Sequence, residues 1–438
     1  MSIEILTLLM FGALVFALII GVPIAFATGS IAIVFGAWLF DFNTLNIITS
    51  RVFTLMGNQI LVSVPLFILM ATILEKAGIA DDIFKAAYIW SGRIRGGLAV
   101  AVVISCGLMA TMVGVIGAEI VTMGVVALPA MLKRGYHKSL ALGSICAGGG
   151  LATLIPPSVV FIMYALTSGT SIGQLYMAGI IPGLMLAGLY ITYIIVISYL
   201  KPEIAPAAPS EEIDIPLGEK LGYLRNLVLP GLIASSVLIS LYLGWATPTE
   251  AAGVGVVAAV VAAIVNRRFN WGGLWAAVLD TTKVTCMLYW LFFGASALIG
   301  IYTLAGGTQY LKEMISALPI GKWGILIVMN LIWIVLGCLI DWIGILLLTG
   351  PIFVPVAVAL GFDPVWLGVV FCMNMQISYI SPPFGPAGFY LKGAAPPEIT
   401  MGDIFRSVWP FLGLQVIALS LVIAFPQIAL WLPQTMMK

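Results

Sequence analysis

Residues 146–158 read CAGGGLATLIPPS, and residues 372–384 read CMNMQISYISPPF. Each stretch runs from a cysteine to a Pro-Pro pair, and the two are offset by 226 positions (372 − 146). The same offset relates Gly124 to Gly350, Pro129 to Pro355, Gly135 to Gly361 and Tyr164 to Tyr390, with no gap. Proline in a helix removes a backbone donor and clashes with the preceding turn. A Pro-Pro pair placed twice at one offset, deep in apolar sequence, marks two equivalent broken helices. Broken helices in an internally repeated membrane chain point to a secondary transporter.

Composition supports that reading. The 438 residues are 62% hydrophobic and 8% charged, against about 25% charged in a soluble domain. The fold class is therefore an all-α polytopic membrane protein. Residues 5–40, 52–74, 96–118, 139–200, 284–311 and 407–437 carry no charge. A span needs about 20 apolar residues, so 139–200 must hold two. The N-terminus lacks the basic region of a signal peptide and is taken as mature sequence.

Net charge is +1, with no basic cluster suited to nucleic acid. The five cysteines lie in apolar runs and read as small packing residues, without CxxC spacing. The single histidine, His137, leaves little room for metal or Ser-His-Asp chemistry. No HExxH, P-loop or GxGxxG pattern is present. The chain is not expected to be an enzyme or to need a cofactor; energy must come from an ion gradient or a separate subunit.

Apolar segments predict helices over 3–20, 22–40, 58–75, 97–111, 118–132, 139–166 (interrupted), 176–200, 224–243, 249–266, 283–304, 323–360 (turning near 337–341), 364–391 (interrupted) and 405–430. The expected division is N-terminal scaffold helices 1–57, a first repeat 58–200, a linker 201–222, central scaffold helices 223–279 and a second repeat 280–438. The linker is Pro-rich and acidic. From one interrupted helix to its copy the chain crosses the membrane an odd number of times, so the copies are inverted. With re-entrant hairpins, one side collects Lys76, Lys85, Arg93, Arg95, Lys133, Arg134, Lys138, Lys201, Lys220, Arg225, Arg267, Arg268, Lys283, Lys392 and Arg406. The other side holds only Arg51, Lys312, Lys322 and Lys438. The richer side is cytoplasmic by the positive-inside rule, which places both termini in the periplasm.

Unwound helix in a membrane leaves backbone groups without partners, at several kcal/mol each. Free carbonyls suit sodium, and half-helix N-termini suit carboxylates. Expected sodium ligands are therefore Thr111, Val113 and Val115 with Gly148, Gly149 and Gly150 in the first copy. In the second they are Gly337, Ile340, Asp341 and Ser378. Thr153, Ser158, Asn374, Gln376 and Ser381 are the substrate-binding candidates. A pair of proline kinks that merely shape packing is the structural alternative.

Glu119 and Asp341 are carboxylates at membrane depth, and such groups are functional candidates by default. Asp341 could hold sodium, carry a proton or cap the second hairpin helix; position 115 of the first copy is a valine. Glu119 could stabilise a helix start or bind a ligand. Thr247-Pro248-Thr249-Glu250 reads as a capping box. Tryptophans near span ends form an interfacial belt. Tyr164 and Tyr390 share a place in the repeat and could line the pathway; packing is the expected role for both.

Three stretches carry a family resemblance: 149–158 (GGLATLIPPS), 247–253 (TPTEAAG) and 378–385 (SYISPPFG). Together, and over essentially the whole chain, they resemble the large membrane subunit of a tripartite ATP-independent periplasmic (TRAP) transporter. The resemblance implies an elevator-type carrier, in which two hairpins and two broken helices move against a scaffold. It implies sodium coupling, organic-anion substrates such as carboxylates or sialic acids, and residence among membrane lipid of the bacterial inner membrane. It also implies two partners, a small four-helix membrane subunit and a periplasmic substrate-binding protein. The first tip, residues 111–115, is poor in hydroxyls, which favours backbone carbonyls as its ligands. The competing readings are a stand-alone sodium- or proton-coupled dicarboxylate or citrate carrier, an intramembrane enzyme and a structural scaffold.

Overall fold

The computed structural model describes residues 2–41, 44–113, 117–206, 216–316, 319–338, 340–383 and 385–436. Among them every regular element is helical. The chain opens with α1 (Ile3–Ile19), α2 (Ile24–Phe40) and α3 (Thr44–Met56). It continues through α4 (Gln59–Lys76), α5 (Ile79–Ser91), α6 (Gly97–Val113) and α7 (Ala118–Lys133). The first broken helix is α8 (Lys138–Gly150) with a 3-10 turn at Leu151–Thr153, then α9 (Val159–Ser168), and α10 (Ile172–Leu200) follows. α11 (Leu217–Tyr242) and α12 (Pro248–Val265) lead to α13 (Trp271–Leu304) and α14 (Gly307–Ser316). α15 (Gly321–Gly337) and α16 (Trp342–Ala359) precede the second broken helix, α17 (Pro364–Ile380) and α18 (Pro386–Ala394). The chain ends with α19 (Met401–Ser407), α20 (Trp409–Ala424) and α21 (Gln427–Met436).

The 226-residue offset carries one set of helices onto the other. Lys138 at the start of α8 maps to Pro364 at the start of α17 (138 + 226), and the end of α7 (133 + 226) maps to the end of α16. α5 maps onto α14, and α10 onto α19 and α20. The α5–α14 pair was not among the expected elements. Charges interrupt both segments, yet α5 buries Ile79, Ala80, Ile83, Phe84 and Ala87 on one face, an amphipathic helix pattern. α13 also begins twelve residues before the expected 283 (283 − 271): Asn270 caps it, its Oδ1 accepting from Gly272 N at 3.0 Å, and Asp280 inside it pairs with Lys76 at 3.2 Å.

Six helical segments among the described residues are long and apolar enough to cross a membrane: Gln59–Lys76, Ile172–Leu200, Pro248–Val265, Trp271–Leu304, Trp342–Ala359 and Met401–Ala424. Small residues let several approach closely. α12 buries Ala251, Ala252, Gly255, Ala259 and Ala262, and a methyl at Gly255 would meet Met70 of α4. The expected capping box at α12 is present: Glu250 Oε2 accepts from Thr247 N at 2.8 Å, and Thr247 Oγ1 accepts from Glu250 N at 3.3 Å. The main apolar core runs through both broken helices and their flanking hairpins, and a smaller core joins α1, α2 and the end of α13.

Candidate functional site

The first break is closed on itself. α8 ends in three glycines, and their bare backbone allows the α6–α7 hairpin to approach. A Cβ at Gly148 would lie 3.1 Å from Cys106 Sγ on α6, and one at Gly149 would overlap Ile120 of α7. Prolines 156 and 157 then prevent the helix from continuing. The freed carbonyls find donors. Thr153 Oγ1 donates to Gly150 O at 2.9 Å, and Ser158 Oγ donates to Thr153 O at 2.6 Å. Gln376 Nε2, from the other repeat, donates to Gly150 O at 2.8 Å. Gly150 and Gln376 are themselves repeat equivalents (150 + 226). The two repeats thus meet at equivalent positions.

The second break is more open. Ser381 Oγ donates to Ile377 O at 2.6 Å, and Asn374 Nδ2 donates to Asn330 Oδ1 at 2.5 Å and Val370 O at 2.8 Å. Gly337 ends α15 so close to Ser378 that any side chain there would strike it. The Ser378 hydroxyl is buried and has no partner among the described residues. Gly337, Ile340, Asp341 and Ser378 line one crevice of about 10 Å³, together with Met375 and Tyr379. That is room for about one water-sized sphere.

Beside the crevice lies a cavity of about 460 Å³ between α2, α9, α13, α16, the end of α17 and α18. Four helices begin on its wall, with Ile24, Val159, Trp342 and Pro386 all among its lining residues. The starts of α2, α9 and α18 have no side-chain cap. Asp341 caps α16 weakly, accepting from Ile343 N at 3.4 Å, and otherwise faces the cavity. Tyr379 is among the lining residues, and its buried hydroxyl has no partner among the described residues.

The placement of the expected residues is uneven. Gly337, Ile340, Asp341 and Ser378 come together. Gly148, Gly149 and Gly150 pack against α6, α7 and Gln376. Thr111 turns its hydroxyl onto Leu108 O at 2.7 Å, Val113 closes α6, and Val115 lies outside the described residues. Thr153, Ser158, Asn374, Gln376 and Ser381 are buried, their donors are engaged internally, and none lines the cavity. Tyr164 packs as expected, stacked on Phe371 with its hydroxyl on Pro364 O at 2.9 Å. Tyr390 does not simply pack: it lines the cavity, and its ring abuts Gly117 at φ 110°. Glu119 is fully buried, and neither of its oxygens has a partner among the described residues. Sequence reasoning missed Tyr379 and the start of α2, although the Gly21-Val22-Pro23 break already marked a helix beginning there.

Known proteins match along the whole chain. The C4-dicarboxylate TRAP transporter large permease protein DctM of Vibrio cholerae is 31% identical over 100% of this chain and 98% of its own length. The ectoine TRAP transporter large permease protein TeaC of Halomonas elongata is 32% identical over 85% of this chain and 86% of its own. Among solved structures, the Alcanivorax borkumensis YdaH transporter superposes with a TM-score of 0.64 at 16% identity, covering 97% of this chain and 99% of that one. That likeness shows a shared transporter fold. The model of the tripartite ATP-independent periplasmic transporter DctM component matches residues 11–428, so the chain belongs to this family of TRAP large permease subunits and is a transporter component, not an enzyme.

Proposed function

We propose that the chain is the permease subunit of a sodium-coupled importer of small organic acids. The observation that carries this reading is the convergence of four helix N-termini on one cavity between the broken helices. Each uncapped N-terminus presents roughly half a positive charge and free N–H groups to an anion. Relatives named for C4-dicarboxylates, ectoine and isethionate support a small organic substrate.

Sodium takes oxygen ligands at the hairpin tips. The second site is the crevice at Gly337, Ile340 and Ser378, with Asp341 at its edge. The first uses main-chain carbonyls of Thr111, Val113, Gly148 and Gly149. Gly150 is not counted, because its carbonyl already accepts from both Thr153 and Gln376 and has two lone pairs. The hairpins and broken helices form the moving body; α1–α3, α11 and α12 belong to the scaffold. A periplasmic binding protein delivers the acid, and a small membrane subunit completes the scaffold in the inner membrane. Both termini lie in the periplasm; a reporter fused within 201–220 that reads as periplasmic overturns this orientation.

The function is tested by uptake into proteoliposomes holding both membrane subunits, with the binding protein outside. Accumulation should follow an inward sodium gradient. Uptake unchanged when sodium is replaced at constant pH and membrane potential overturns the coupling.

A further inference from the structure

The first hairpin holds an acid that the proposed sodium sites do not use. Glu119 is the second residue of α7 and is 0% exposed, and neither of its oxygens has a partner among the described residues. Residues 114–116, just before it and outside the described set, are Gly, Val and Ile, which bring no side-chain donor. Its repeat equivalent is Ile345 (119 + 226), so symmetry does not demand an acid there. The titratable groups within electrostatic reach of it are Cys106 on α6, Tyr379 on α17 and Glu75 on α4. Cys146 on α8 faces Cys106 and Tyr379, and the Tyr390 ring on α18 abuts Gly117, two residues from Glu119. None of these groups carries a positive charge. The helices packed on α7 are α5, α6, α8 and α18, and their lysines reach solvent or other partners. Lys85 and Lys138 are exposed, as is Lys133 of α7 itself, and Lys392 donates to Ile399 O at 2.6 Å. On α5, Asp81 is exposed, Asp82 pairs with Arg268 at 2.8 Å, and Tyr88 lies under Arg134 at 4.7 Å.

We infer that Glu119 is a proton-binding site, and that the carrier moves one proton with each solute beside its sodium. The inference rests on the transport reading above and adds a second coupling ion to it. A carboxylate without a cation or donor is too costly at membrane depth, so Glu119 holds its proton in this state. The start of α7 has no side-chain cap, and its free N–H groups favour the charged form once water reaches it. The acid thus changes charge with access, as a proton carrier must. Its neighbours lead to both sides. Tyr379 and Tyr390 are among the residues that line the cavity. Glu75 is partly buried and precedes exposed Lys76, at the end of α4 assigned above to the cytoplasm. Loading adds a proton from cavity water to a Glu119 oxygen. Unloading passes that proton to the Glu75 carboxylate and on to water, and no other bond changes.

The test is uptake into proteoliposomes holding the full chain and its small subunit, with the binding protein outside, a pH dye trapped inside and a fixed inward sodium gradient. The probe is a mixture of radiolabelled isethionate, ectoine and succinate, solutes of the kinds for which relatives are named. A tenfold inside-alkaline proton gradient should raise the final accumulation up to about tenfold, since each factor of ten in concentration is worth about 1.4 kcal/mol and one proton moves per solute. The dye should report an acidification that requires the solute. Glu119→Gln, fixed in the neutral form, should lose both effects. If that variant does not transport, Glu119→Asp is measured; its carboxyl should restore both effects, and uptake without them overturns the inference. Sodium-driven uptake by the parent that ignores the proton gradient, or proton entry that persists in Glu119→Gln, overturns the inference and leaves the transport reading standing. Absence of any uptake sinks the transport reading and the inference with it.

Discussion

The two broken helices share a backbone and differ in chemistry. At the first, each freed carbonyl for which a side-chain donor is seen has it nearby: Thr153 and Gln376 on Gly150, and Ser158 on Thr153. At the second, the hydroxyls of Ser378 and Tyr379 are buried without partners among the described residues, next to a crevice and a cavity. The acid at the second tip, Asp341, has Val115 as its equivalent in the first repeat (341 − 226). Repeat symmetry thus fixes where the helices break, while side chains decide which of the freed polar groups find partners. The Gly150–Gln376 bond ties the first break to the second.

The strongest way to break this comparison is to overfill the first joint. Gly149→Val places two methyls into the space held by Ile120. Overpacking of a tight core costs about 1–3 kcal/mol, and here it also pushes the α6–α7 hairpin off the broken helix. We expect a clearly lower melting temperature in detergent and loss of uptake together. A variant that melts like the parent yet does not transport would mean that the first break is also a ligand site.

Much of this architecture was legible in the sequence because its signals are local and repeated. Prolines at 156, 157, 382 and 383 and the glycines around them break helices wherever they stand, and the constant offset reports the duplication. The amphipathic arms α5 and α14 were not legible, because their charges interrupt the apolar runs that mark spans. The cavity was hidden for another reason: its wall is drawn from α2, α9, α13, α16, α17 and α18, and no local pattern links residues so far apart. At the breaks themselves the sequence shows hydroxyls but not their partners: Thr153, Ser158 and Ser381 each reach the carbonyl three to five residues back, a local bond that competes with any substrate. Tyr379, whose ring holds its hydroxyl too far out for such a bond, keeps that hydroxyl buried without a partner among the described residues.

The smallest expected effect on the fold is also the sharpest test of the difference between the two breaks. Thr153→Val removes a hydroxyl that is bonded at 2.9 Å; Ser378→Ala removes one with no partner among the described residues. Losing a made bond costs about 1 kcal/mol, whereas deleting an unpaired buried hydroxyl costs close to nothing. Thr153→Val should therefore lower thermal stability and leave the sodium concentration for half-maximal uptake where it was. Ser378→Ala should do the reverse: unchanged melting, with half-saturating sodium raised roughly tenfold if an oxygen ligand worth about 1.4 kcal/mol is lost. The readouts are a melting curve and a sodium titration of uptake on the same preparation. If both variants lose stability equally and neither moves the sodium curve, the second break is packed like the first, and the crevice at Gly337 and Ser378 holds no coupling ion.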